Sequence, residues 1–273
     1  MPRPLHLWDS PAEGFMNRRL STIVIATTVI AVGLAGCSSS KRGSSPNGVT
    51  GTIVVFAASS LKATFTTLAA NFAAANPGAK VIPSYGGSDT LAAQITQGAP
   101  VDVFAAASTT TMGTVTKAGD ATGTPQVFAK NELEIAVAPS NPLHIAGLAD
   151  LTKAGVKLAV CAPTVPCGAA ETKAFVAAKL TPHPVTLEQD VASVLTKVEL
   201  GEVDAGMVYQ TDVKSAGSKV VGVNFAEASS AINTYPIVGI KNAKNPTAAQ
   251  AFVAYVVSAA GQAVLHAAGF QQP

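Results

Sequence analysis

The chain has 273 residues, a formal net charge of +2, 48% hydrophobic residues and only 12% charged ones. A body this long and apolar has core enough for one large domain or two lobes, and its balanced charge excludes the basic stripe that nucleic-acid binding needs. Arginine occurs only at Arg3, Arg18, Arg19 and Arg42, so everything beyond residue 42 lacks the guanidinium fork that usually grips phosphate or carboxylate.

From Met16 the chain reads "MNRRLSTIVIATTVIAVGLAGC", two arginines and an apolar run closing on small residues at Cys37. That is the plan of a secretory signal. Interrupted by Gly33 and Gly36, the run is too short for a membrane-spanning helix. Its ending, "LAGC", resembles the bacterial lipobox, in which the cysteine receives a diacylglycerol and becomes the mature N-terminus. The expectation is a signal peptide over 1–36, with Met16 a candidate start, and a lipid on Cys37 holding the protein at the outer face of the cytoplasmic membrane. Residues 37–48, rich in Ser, Gly and Pro, read as a flexible tether.

Beyond the tether, "TIVVFAA" (52–58) has the β-branched content of a strand. Leu61, Phe65, Leu68 and Phe72 then share a helical face that "NPGAK" stops. "KVIPSY" (80–85) and "VDVFAAA" (101–107) read as strands around a helix over 90–97. Further strands are predicted at 133–139, 156–160, 205–209, 219–223 and 234–240. Helices are predicted at about 169–180 and 190–200, and one long helix at about 247–260. No internal repeat is visible. This β-α-β rhythm predicts an α/β fold with parallel sheets covered by helices on both faces.

Cys161 and Cys167 stand six apart in "CAPTVPCG". An exported chain favours a disulfide between them over two reduced thiols. Two strand ends carry serine before a helix: Ser59-Ser60, and Ser88 after Gly87. Serine there is an ordinary helix cap. In an open α/β sheet, the same place is also where backbone N–H groups and the helix dipole hold anions.

Taken together, "VVFAASSLKATFTTLAANFAA", "SYGGSDTLAAQITQGAPVDVFAAA", "LEIAVAP", "VPCG", "EQDVASVLTKVELGEVDAGMVY" and the closing "AAGF" resemble, in order along the whole body, the periplasmic molybdate-binding proteins of ABC importers. The resemblance implies a two-lobed periplasmic-binding-protein fold of type II, with parallel-rich sheets flanked by helices and a hinge of two crossing segments. Lobe I would comprise 49–130 plus 233–273, and lobe II 131–232. It implies a binding protein, not an enzyme, that holds molybdate or tungstate between the lobes through neutral hydrogen bonds. By position the contacts would be Ser60, Ser88, the N–H of Cys167 (where alanine is the expected residue), the N–H of Val191 and the hydroxyl of Tyr209. Asp89 departs from the pattern and is expected to point away from the anion. The implied partners are a permease and its ATPase subunits, with the protein itself a monomer that carries no cofactor and no metal.

Other readings start from the same residues. Sulfate, phosphate or ferric iron would suit the same fold, although iron-binding relatives use clustered tyrosines and only Tyr209 is placed at the cleft. His144, His183 and His266 have no metal-site spacing. Ser59-Ser60-Leu61-Lys62 contains the S-x-x-K of penicillin-recognising serine enzymes, and Ser88-Asp89-Thr90 approximates their S-D-N. No K-T-G follows.

Overall fold

Eighteen regular elements follow one another in the computed structural model, which describes residues 48–273. The expected signal peptide, lipidated Cys37 and nearly all of the tether lie outside the described residues. In chain order the elements are β1 (Thr50–Ala58), α1 (Lys62–Ala75), β2 (Gly78–Gly86), α2 (Ser88–Thr96), β3 (Val103–Ala105), α3 (Thr109–Lys117) and β4 (Ala121–Asn131). Then come β5 (Leu133–Val137), β6 (Leu158–Cys161), α4 (Pro166–Ala178), β7 (Thr186–Glu188), α5 (Val191–Glu199), β8 (Ala205–Tyr209), α6 (Gln210–Ala216) and β9 (Val221–Val223). The chain ends with β10 (Asn233–Ile240), α7 (Pro246–Val257) and α8 (Ala259–Ala268).

The pleat of β1 sends alternate side chains to two separate cores. Ile53, Val55 and Ala57 meet Phe65, Leu68 and Phe72 of α1 and Phe252 of α7. Phe56, on the other face, packs with Leu91, Ala92 and Ile95 of α2 and with Met112 and Val115 of α3. Phe65 anchors the first core, its ring 5.7 Å from Phe128 and 6.2 Å from Phe252. A third core surrounds the second sheet and includes Leu133, Ile135, Val194 and Met207.

The strand orders are β2-β1-β3-β10-β4 and β7-β6-β8-β5-β9. The expected parallel pairing holds where helices connect the strands: β1 with β2 and β3, β6 with β7 and β8. It fails elsewhere. β10 is antiparallel to β3 and β4, and β5 to β8 and β9. The reason is the route between sheets. Only Glu132 separates β4 from β5, so the chain leaves the first sheet as a direct continuation into the second. It returns through a 3-10 turn over Ala226–Ala231 into β10, beside β4, with Asn233 opposite Asn131. Neither passage contains the helical crossover that a parallel pair requires.

Three further differences have local causes. β4 and β7 were not anticipated; both are edge strands, β4 holds Pro125 and a solvent-facing first half, and β7 has only three residues. The predicted helix over 247–260 is two helices bent by 58°. Ser258 sits at the break, where its Oγ accepts the N–H of Gly261 at 3.3 Å and caps α8. The helix expected from about 169 begins at Pro166, whose fixed φ and missing N–H suit a first helical position.

Candidate functional site

The carboxyl ends of the strands from both sheets meet around one small cavity of about 20 Å3. Ala58, Ser59, Ser60, Gly86, Gly87, Ser88 and Ala107 line it from the first sheet. Val165, Pro166, Cys167, Gln189, Asp190, Val191 and Tyr209 line it from the second. All five residues expected to contact an anion are therefore brought together. Each is buried, with Ser60 the most exposed at 8% and Tyr209 the least at 1%. A cavity this small means that the two halves of the body already meet around it. A wider groove of about 920 Å3, between α1, α5, α6 and α8, shares Ser59 and Ser60 with it.

Three of the five sit in the first turns of helices. Ser88 opens α2 behind Gly87, Cys167 follows Pro166 in α4, and Val191 opens α5 behind Asp190. In a first turn the backbone N–H groups have no partner within the helix, and the dipole adds positive potential. Cys167 thus lies inside the helix, ahead of the start at about 169 expected from the sequence. Its side chain is tied to Cys161 at the end of β6 by a disulfide, with Cα atoms 5.7 Å apart. The next residue is glycine for a steric reason: a Cβ on Gly168 would run into the carbonyl of Ala162. Disulfide and glycine together press the start of α4 against the end of β6.

The two serines are held in similar ways. Ser88 Oγ accepts the N–H of Ala107 at 3.0 Å. Ser60 Oγ lies 3.0 Å from the hydroxyl of Tyr235 on β10. The hydroxyl of Tyr209 is buried and makes no well-aligned hydrogen bond, although the hydroxyl of Tyr235 lies close to it. Burial, followed by the proximity of Tyr235, Asp212 and Glu171, pushes its pKa well up, so it stays a protonated donor. An unpaired buried hydroxyl is costly unless something fills its bond.

Two of the nearby carboxylates, Asp190 and Asp212, accept hydrogen bonds from the backbone. Asp190 lines the cavity, but its Oδ1 accepts the N–H of Ser193 at 3.0 Å and caps α5. Asp89, in the first turn of α2, is not among the lining residues, but its Oδ1 is buried beside Gly87 and has no hydrogen-bond partner. Asp212 Oδ2 accepts the N–H of Tyr209 at 3.0 Å, and burial raises this carboxyl to about 7, with a further push from Asp190. Lys62, the basic member of the S-x-x-K pattern, is exposed on the first turn of α1 and does not line the cavity.

The sequence reading missed Tyr235. Its ring packs 6.2 Å from that of Tyr209, so a second tyrosine stands directly behind the one that lines the cavity. Its hydroxyl is already engaged by Ser60 and, at 3.5 Å, by Asn131 Nδ2. Asn233 was also missed: its Nδ2 donates to the carbonyls of Ala107, just beyond β3, at 2.8 Å and of Pro166, at the start of α4, at 3.4 Å. Among the described residues, the one cluster with metal-ligating groups is Cys161, Cys167 and Glu171, and its cysteines are bonded to each other.

A two-sheet α/β body with its site between the sheets defines an extracellular solute-binding class. The chain belongs to the bacterial extracellular solute-binding protein family, whose model matches residues 53–271. It is 44% identical over 257 residues to the molybdate-binding protein ModA of Mycobacterium tuberculosis H37Rv, covering 93% of this chain and 98% of that one. The solved periplasmic molybdate-binding protein of Azotobacter vinelandii is similar in structure, with a TM-score of 0.71 and 22% identity, over 81% of this chain and 99% of that one. The sulfate-binding protein SubI of M. tuberculosis H37Rv gives a TM-score of 0.72 at 18% identity, over 81% and 86% of the two chains. These two structural likenesses establish the fold and do not separate one anion from another.

Proposed function

We propose that this protein is the solute-binding component of an ABC importer and captures molybdate, or the near-identical tungstate, between two lobes. Residues 49–130 with 233–273 form lobe I and 131–232 lobe II, a division that follows the two sheets and their crossings at Glu132 and Ile232. Ser60, Ser88, Tyr209 and the N–H groups of Cys167 and Val191 contact the oxyanion. The closed form is delivered to a permease driven by separate ATPase subunits. A lipid on Cys37 keeps the protein at the outer face of the cytoplasmic membrane, and it works there as a monomer.

The observation that carries this reading is the lining of the cavity: it converges hydroxyl and N–H donors and includes no lysine, arginine or histidine. Burying a dianion is costly unless many dipoles converge on it. Preset peptide and hydroxyl donors meet that need without a counter-ion. The 44% identity with a molybdate-binding protein across nearly the whole of both chains supports the choice of anion.

Molybdate at about a thousandfold excess over its Kd is expected to stabilise the protein by about 4 kcal/mol by mass action. The readout is a thermal-shift series with molybdate, tungstate, sulfate, phosphate and ferric citrate. A large shift with sulfate, phosphate or ferric citrate and none with molybdate would reject the reading.

Asp212 predicts a pH dependence. Its folded pKa is raised, to about 7 from 3.8, so the folded state keeps a proton that the unfolded state gives up. Stability from this group is complete below about pH 4 and declines as pH rises toward 7. A bound dianion opposes the loss of that proton, so molybdate affinity is expected to fall as pH rises through 7. Asp212→Asn should flatten that dependence in titrations between pH 6 and 8.5.

A further inference from the structure

Both site serines have a protein group that decides which way their hydroxyl hydrogen points. For Ser88 it is the N–H of Ala107, which can only donate, so Ser88 Oγ must accept and its own hydrogen is free for the cavity. For Ser60 the partner is the hydroxyl of Tyr235, which is able to play either part. Asn131 resolves it. Its Oδ1 accepts the N–H of Glu132 at 3.0 Å, which leaves Nδ2, a group that only donates, facing Thr211 Oγ1 at 2.7 Å and Tyr235 Oη at 3.5 Å. A hydroxyl can accept twice, but of these two partners only Ser60 Oγ is able to accept, so the hydrogen of Tyr235 is assigned to Ser60.

We propose that Tyr235 is a positioning residue which, held by Asn131, fixes Ser60 as a hydrogen-bond donor and thereby helps the cavity to reject oxyanions that carry a proton. The inference rests on the proposed oxyanion site and extends it to a residue outside the cavity. Tyr235 is 0% exposed and does not line the cavity, so it acts through Ser60. Burial raises its pKa, which keeps it protonated and able to donate. A hydrogen phosphate ion presented to such a site aims its proton at a group that is already donating. Fully deprotonated molybdate has no proton to misplace. The same chain of bonds crosses the hinge: Thr211 belongs to α6 of the second half, Asn131 ends β4, and Ser60 precedes α1 of the first.

The test is a double-mutant cycle of Tyr235→Phe and Ser60→Ala, read by calorimetric titration with molybdate and by competition with phosphate at pH 8. Phenylalanine keeps the ring that packs on Phe128, Tyr209 and Phe270, and the melting temperature without ligand reports whether the fold survives. Tyr235→Phe is expected to weaken molybdate about two- to tenfold, and to weaken phosphate less or strengthen it, because the freed Ser60 hydroxyl is then able to accept. In the Ser60→Ala background the same change should have almost no further effect on either anion. Equal losses for both anions, or an undiminished effect without Ser60, would overturn the proposal while leaving the molybdate reading intact. If the unaltered protein binds no molybdate, the two fall together.

Discussion

Gly87→Ala is expected to lower molybdate affinity by roughly ten- to hundredfold while leaving the melting temperature of the unliganded protein almost unchanged. Gly87 has φ −60° and ψ 130°, a conformation any residue adopts, so alanine brings no backbone strain. Its cost arises at two contacts, the shorter of them across the cleft and the other with the movable end of a side chain on its own helix. A Cβ there would sit 2.5 Å from the carbonyl oxygen of Gln189, which lies across the cleft beyond β7, and 2.9 Å from Asp89 Oδ1 on its own helix. Overpacking of this kind costs about 1–3 kcal/mol, and here the cost falls on the closed form. Calorimetric titration and a melt of the free protein separate the two effects. A melting temperature that drops in step with affinity would place the clash within one half of the body and contradict the role given to closure.

Ser60→Ala should cost a comparable amount and Ser59→Ala much less. The first removes a buried hydroxyl from the anion, and hydrogen bonds to charged groups are worth about 1.5–3 kcal/mol, roughly ten- to hundredfold in affinity. Ser59 also lines the cavity and, like Ser60, borders the wider groove, but it is less buried. Titrating both variants decides between them. Loss of binding in Ser59→Ala with a silent Ser60→Ala would shift the contact by one residue.

Much of this arrangement was legible because it is local. Strand-to-serine-to-helix passages at Ser60 and Ser88 are written in consecutive residues, and so is the Pro-Cys-Gly that opens α4. Periodicity found most of the strands that are buried on both faces. What it missed depends on distant partners or on weak patterns. β4 has Pro125 and little alternation because it is an edge strand that also serves as a crossing segment. The bend at Ser258 is hidden in a run of apolar and small residues that would suit one straight helix. Tyr235 gains its importance from Ser60 and Asn131, which are 175 and 104 positions away. No window along the chain contains all three. The antiparallel β10 followed from the route between sheets, which propensity does not encode.

The donor set itself is most directly tested by a crystal structure of the molybdate complex, in which anomalous scattering locates molybdenum. The anion is expected between the two sheets, within hydrogen-bond distance of Ser60 Oγ, Ser88 Oγ, Tyr209 Oη and the backbone nitrogens of Cys167 and Val191, with no lysine or histidine in contact. Molybdenum bound elsewhere on the molecule, or in the cleft but held by a cationic side chain, would contradict the account.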